Sequence, residues 1–182
     1  MHSLFGSLLE ANWVCNQGPS CTTAATLAGL GALGATALPD LGEATRLLAG
    51  DRYAAPALGD YLALPGRRAP LDLRIEALAR AHGLAVHSST GVVLPGLPLR
   101  PPAAGALIAH LAWGQERSGH YGSWGWRPLH LATYATGGHS VVLAAREGEG
   151  WVVSDPNHPQ LQHWPRPGVA ISRTLLIPVP KG

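Results

Sequence analysis

The chain has 182 residues, 46% of them hydrophobic, which is enough for one domain with a core of its own and few for two. Only 13% are charged, the formal net charge is +2 and the arginines are scattered, so neither nucleic acid nor an anionic membrane is expected as a partner. No stretch approaches the ~20 apolar residues of a bilayer span. The opening MHSLFGSLLEANWVC lacks the basic region and small-residue cleavage site of a secretory signal, which predicts a soluble, cytoplasmic protein, with secretion as the alternative if a signal peptide has been removed.

In chain order, the first predicted element follows a Gly-Pro turn. Residues 20–36, SCTTAATLAGLGALGAT, read as a buried helix with Ser20 or Thr22 as cap, and Gly29, Gly31 and Gly34 fit there only if something packs closely against them. Short helices are expected over Leu41–Leu48 and Ala54–Leu64, broken by Gly50 and Pro65. Pro70–His82 is the clearest amphipathic helix, with Leu71, Ile75, Leu78 and Ala79 on one face and Gly83 as its C-cap. Leu84–Ser88 reads as a strand, 91–105 as a proline-rich connection and Ala106–Trp113 as a buried strand.

Residues 114–128 show neither a strand nor a helix period and carry Tyr121, Trp124 and Trp126. This is either a loop that contacts substrate or a surface excursion whose tryptophans fold back onto the core. Ser140–Ala145 and Trp151–Ser154, joined by a charged glycine turn, predict a hairpin, and Ile171–Val179 a last strand. Helices therefore occupy about 1–83 and strands about 84–182, so the fold class is α+β within a single domain.

Two cysteines, Cys15 and Cys21, lie six positions apart, where a disulfide would close a tiny loop and stabilise little. At least one is then a free thiol. No CxxC or HExxH occurs, and His120, His130, His158 and His163 match no usual zinc spacing, so neither a metal nor an organic cofactor is expected. A thiol attacks only as its thiolate, which a helix N-terminus favours through its unpaired N–H groups and dipole. Cys21 opens a helix and Cys15 does not, which makes Cys21 the candidate nucleophile.

A cysteine nucleophile needs a base within reach and a partner that fixes the base's ring. Among nine histidines, His139 stands at the entry of a strand after Gly137-Gly138. Asp155 ends the antiparallel partner strand, so the two should emerge side by side at one end of the hairpin. Of five aspartates, Asp40, Asp51, Asp60 and Asp72 fall in the helical part beside turns or caps, and only Asp155 lies in the β part, where it also suits an Asp-Pro turn. For the oxyanion the natural donors are the Cys21 N–H and the Gln17 side-chain amide, with Asn16 in reserve.

Three islands carry a family resemblance. Gly138-His139-Ser-Val-Val-Leu and Trp151-Val-Val-Ser-Asp155-Pro156 resemble the histidine and aspartate region of peptidase family 39, the papain-like cysteine peptidases that trim bacteriocin precursors after a double-glycine leader. Gln17-Gly-Pro-Ser-Cys21-Thr-Thr-Ala-Ala is similar to that family's glutamine and cysteine segment, although the family places its glutamine further ahead and often follows the cysteine with Gly-Pro. The resemblance covers about a fifth of the chain. It implies a papain-like fold of the stand-alone branch and hydrolysis of a peptide or protein substrate through a thioester acyl-enzyme. The same triad would serve an acyltransferase or deamidase, and a binding domain with an inert Cys21 would share the scaffold.

Overall fold

The computed structural model describes residues 4–50, 55–56, 58–61, 67–93, 99–114, 135–148, 150–164 and 170–180. Among these, four helices precede six strands: α1 (Leu4–Ala11), α2 (Cys21–Ala32), α3 (Leu41–Ala49), α4 (Pro70–Ala81), then β1 (Val86–Val92), β2 (Ala106–Gly114), β3 (Ala135–Glu147), β4 (Gly150–Ser154), β5 (Gln162–Trp164) and β6 (Ala170–Pro178). A 3₁₀ turn, Leu58–Tyr61, stands where the longer helix over 54–64 is expected. Tyr121, Trp124 and Trp126 lie outside the described residues, as do His120 and His130.

The strands form one antiparallel sheet in the order β1-β6-β2-β3-β4-β5. Strand alternation sends Ile108, Val142, Val152 and Leu176 to a core shared with the helices, where they meet Leu27, Leu30, Leu71 and Ile75. Leu107, Leu111, Val141, Leu143, Trp151 and Val153 form a second apolar cluster. The result is a mixture of helix and antiparallel sheet.

Ten of the twelve residues of α2 are buried, as suits a helix apolar on every side and sunk among neighbours. It ends at Ala32, four residues short of the expected limit. Gly34, at φ 100°, takes the left-handed position past the cap; its N–H donates to the Gly31 carbonyl and the Ala35 N–H to that of Leu30. This Schellman motif recurs at the end of α4, where Gly83 sits at φ 77° and Leu84 N–H reaches the Ala79 carbonyl. Close packing against the α2 glycines is real: a Cβ on Gly29 would lie 3.4 Å from Leu176 Cδ1, and one on Gly31 only 2.6 Å from Asn12 Oδ1.

The edge strand β1 is closed by α4. Glu76 accepts from the Ser88 N–H (2.8 Å) and Asp72, one turn earlier, from the Thr90 N–H (3.0 Å), so two carboxylates satisfy donors that an open edge would expose. Arg68 pairs with Glu76 and also donates to the Ser88 carbonyl. Asp72 is thus not the turn or cap residue its position suggests; it is 3% exposed and bound to a strand.

Candidate active site

Cys21 is the first residue of α2, half-buried, with Ser20 at the cap position. The Ser20 side chain does not cap the helix; its hydroxyl donates to the Gln17 carbonyl (2.7 Å) and tightens the turn before α2. The first-turn N–H groups of a helix have no intrahelical acceptors, so the Cys21 sulfur and the space beside it meet partial positive charge.

His139 does not open its strand. It is the fifth residue of β3, paired with Leu111 of β2, and Gly137 and Gly138 lie in the strand opposite Trp113 and Ala112. A Cβ at Gly138 would press to 3.3 Å from the Leu111 carbonyl, so this glycine serves close backbone approach and not a turn. Ser154, the last residue of β4, pairs with Val142, and a register shift between Leu143 and Ala145 skews the hairpin. Asp155 therefore leaves β4 beside the 139–141 stretch. His139 Nε2 meets Asp155 Oδ1 at 2.8 Å, with the residues 4% and 1% exposed.

Asp155 holds two posts at once. Its Oδ1 also accepts from the Asn157 N–H (2.9 Å), the turn that ends the strand, while the same oxygen orients the imidazole. Three further contacts lock this turn to the segment ahead of α2: Trp13 Nε1–H donates to the Asp155 carbonyl (2.9 Å), Asn16 N–H to the Pro156 carbonyl (2.9 Å) and Asn16 Nδ2 to Asn157 Oδ1 (3.2 Å). The carboxylate's mount and the approach to the cysteine are one unit.

With Nε2 on Asp155, the imidazole also interacts with the Cys21 thiol. Burial opposes charge on all three groups, and the contacts among them override it. The His139 imidazole is pushed up to about 9 against its own desolvation, by hydrogen bonds and charge from Asp155 and Cys21. Burial raises the Cys21 thiol, but the interaction with His139 and its charge, with the Ser140 backbone and side chain beside the sulfur, bring it below its ordinary value. Asp155 likewise ends below the ordinary carboxylate, held down by His139, the Asn157 N–H and His158 against burial. Both shifts run in the direction that favours a thiolate beside an imidazolium.

Gln17 is exposed at the turn before α2, and among the described residues its side-chain amide has no hydrogen-bond partner. The reserve candidate Asn16 has its Nδ2 committed to Asn157. Cys15 is exposed, with its sulfur on the Asn16 carbonyl at 3.6 Å. It lines a cleft of about 410 Å³ together with Asn12, Trp13, Leu27, Leu38 and Leu41, and that cleft includes neither Cys21 nor His139. Among the described residues no cluster of His, Cys, Asp or Glu is arranged to hold a metal ion, and no helix is long and apolar enough to cross a membrane.

One solved structure, that of a candidate C39-like peptidase from Bacillus anthracis, matches with a TM-score of 0.52 over 96% of this chain and 98% of the other, at 12% sequence identity. The fold is C39-like. The chain matches no protein-family model and no curated protein, so the likeness lies in architecture and not in sequence. The C39-like fold brings Cys21, His139 and Asp155 together and leaves Cys15 apart, on the wall of the cleft.

Sequence reasoning missed the second ring of this site. Thr22 Oγ1 lies 2.8 Å from both Tyr61 OH and Ser140 Oγ, and Ser140 Oγ lies 2.9 Å from His110 Nδ1. Ser140 and Thr22 are the chain neighbours of His139 and Cys21, a signal within reach. His110 is one polar residue in the apolar run ALIAHLAWG, and a polar intruder in a buried strand demands partners.

Proposed function

We propose that the chain is a cysteine peptidase of papain-like fold, folded as one domain and related to the stand-alone branch of peptidase family 39, which hydrolyses a peptide or amide bond through Cys21, His139 and Asp155. The observation that carries the proposal is the buried His139 Nε2–Asp155 Oδ1 contact of 2.8 Å, on a ring that also interacts with Cys21 at a helix N-terminus. A packed structural histidine does not need a carboxylate on one nitrogen and a half-exposed thiol beside it.

The Cys21 thiolate attacks the carbonyl carbon and the C=O π pair moves to oxygen. The Cys21 backbone N–H and the Gln17 amide hold that oxyanion. As the oxyanion collapses, His139 gives its proton to the departing amine and leaves a thioester on Cys21. Neutral His139 then takes a proton from water, the hydroxide equivalent attacks the thioester, and the acid product leaves with thiolate and imidazolium restored. Asp155 keeps the ring in place and supports its charge throughout.

Iodoacetamide at about pH 6 tests the arrangement, because an ordinary thiol is almost wholly protonated there. Rapid, selective labelling of Cys21 that is lost in His139→Ala is the expected result. Slow and equal labelling of Cys15 and Cys21 would leave an inert scaffold. Release of product from a fluorogenic peptide library, abolished in Cys21→Ala, tests the reaction itself; turnover that needs an added amine would turn the assignment to acyl transfer.

A further inference from the structure

Behind the site runs a chain of buried polar groups that hydrolysis, as derived above, does not use. It passes from Tyr61 OH to Thr22 Oγ1 (2.8 Å), Ser140 Oγ (2.8 Å) and His110 Nδ1 (2.9 Å). From His110 Nε2 it continues to Thr174 Oγ1 (2.9 Å), Thr90 Oγ1 (2.9 Å) and Asp72 Oδ1 (2.6 Å) on α4, where Ser88 Oγ (2.7 Å) and the Thr90 N–H also converge. Apart from half-buried Tyr61, no side chain on this path exceeds 5% exposure.

The direction of every proton on the path follows from its end. A carboxylate only accepts, so Asp72 takes the single Thr90 hydroxyl proton. Thr90 must then accept from Thr174, and Thr174 from His110 Nε2–H. A neutral imidazole carries one N–H, so Nδ1 is bare and accepts from Ser140. Burial keeps this ring neutral, with its pKa brought down to about 3. Thr22 completes the run by donating to Ser140 and accepting from Tyr61, whose phenol is pushed up to about 12 by burial, with Cys21 and Asp60 adding to it. All these donors point towards Asp72.

Ser140 is where this matters. Its hydroxyl bonds His110 Nδ1 and Thr22 Oγ1, the latter on the residue next to Cys21, and it acts on the Cys21 thiol, so its one proton is contested. We propose that Asp72, across the sheet from the thiol, is a positioning residue: it fixes His110 as the Nε2–H tautomer and thereby draws the Ser140 proton away from the Cys21 sulfur. A thiolate with one donor fewer is less stabilised and more nucleophilic, since intrinsic reactivity falls as the thiol pKa falls. The inference rests on the peptidase reading only for its consequence, because the tautomer is a property of the resting protein.

Asp72→Asn reverses the logic in nearly the same volume. Its oxygen keeps the Thr90 N–H, and its NH₂ donates to the Ser88 and Thr90 hydroxyls. Thr90 is then free to donate to Thr174 and Thr174 to His110 Nε2, so His110 Nδ1–H donates to Ser140 and the Ser140 proton turns to sulfur. Thr174→Val cuts the path midway and removes the Nε2 acceptor, favouring the same tautomer.

The experiment uses the full chain with ¹⁵N-labelled histidine in a Cys15→Ser background. Long-range ¹H–¹⁵N correlation reads the His110 tautomer, and the pH dependence of alkylation reads the Cys21 thiol. The wild type is expected to show Nε2–H, and both variants Nδ1–H, with the Cys21 pKa lowered by about one unit and a slower limiting alkylation rate. Nδ1–H in the wild type overturns the proposal even if neither variant folds; so does Nε2–H retained in a folded variant. If wild-type Cys21 alkylates as an ordinary thiol while the tautomers behave as stated, the peptidase reading fails and the relay stands.

Discussion

His139 and His110 lie on the neighbouring strands β3 and β2, at 4% and 5% exposure, and they are driven in opposite directions, one up to about 9 and the other down to about 3. Burial opposes the charged ring at both. The difference is company: His139 stands between a carboxylate and a thiol that can lose its proton, while His110 stands between two hydroxyls and edge-on to the Tyr61 ring at 4.9 Å. Hydroxyls satisfy a ring without favouring its charge, and a carboxylate favours it. One imidazole is thereby loaded with a proton that it can deliver, and the other is a neutral joint in a hydrogen-bonded path.

The comparison breaks most visibly at the charged site. Cys21→Ala or His139→Ala should lower peptide hydrolysis by at least about 10³-fold, while His110→Phe should stay within about tenfold of the wild type, as read from kcat/KM. Equal losses at both histidines would erase the distinction. Asp155→Ala should cost about 10²-fold in kcat and move the alkaline limb of activity from near 9 towards 6.5, because its hydrogen bond and charge sustain the imidazolium.

The pH dependence of stability offers a finer discrimination. Unfolded, the pair titrates near 6.5 and 9.0; folded, His139 is raised and Cys21 lowered. The raised imidazole contributes stability that is full below 6.5 and is lost as pH rises through about 9. The lowered thiol works the other way: its contribution is present above 9.0 and is lost as pH falls through its folded value, so the two slopes oppose each other. Urea midpoints from pH 5 to 9, compared with those of Cys21→Ala, measure this. Smaller effects belong to the supports. His110→Phe should destabilise by about 1–3 kcal/mol through hydroxyls left short of a partner, and Trp13→Phe by about 1 kcal/mol through loss of the bond to the Asp155 carbonyl, both read by urea unfolding.

Much of this was legible in the residues. The α4 face and its Gly83 cap follow from period and turn chemistry, and the meeting of His139 with Asp155 from hairpin geometry. The same cap rule applied to Gly34 gives the true end of α2. What escaped had weak local signals. Leu4 and Leu8 of α1 face solvent while Phe5 and Leu9 face inward, a pattern too short to stand alone, and β5 is three residues held by its pairing with β4. Asp72 was hidden for another reason: a carboxylate early in a helix resembles a cap, and only the arrival of β1 from 14 positions on makes it a buried acceptor.

The contact between Gly31 and Asn12 has a mechanical side. A methyl group at position 31 would meet Asn12 from Cβ to Oδ1, between 3.0 and 2.6 Å, and would drive that side chain outward. Asn12 adjoins Trp13, whose indole hangs on the Asp155 carbonyl. A hydrogen atom in place of a side chain, ten residues into the helix that Cys21 opens, thus acts as a spacer gauge for the segment bearing Trp13, which bonds the Asp155 carbonyl.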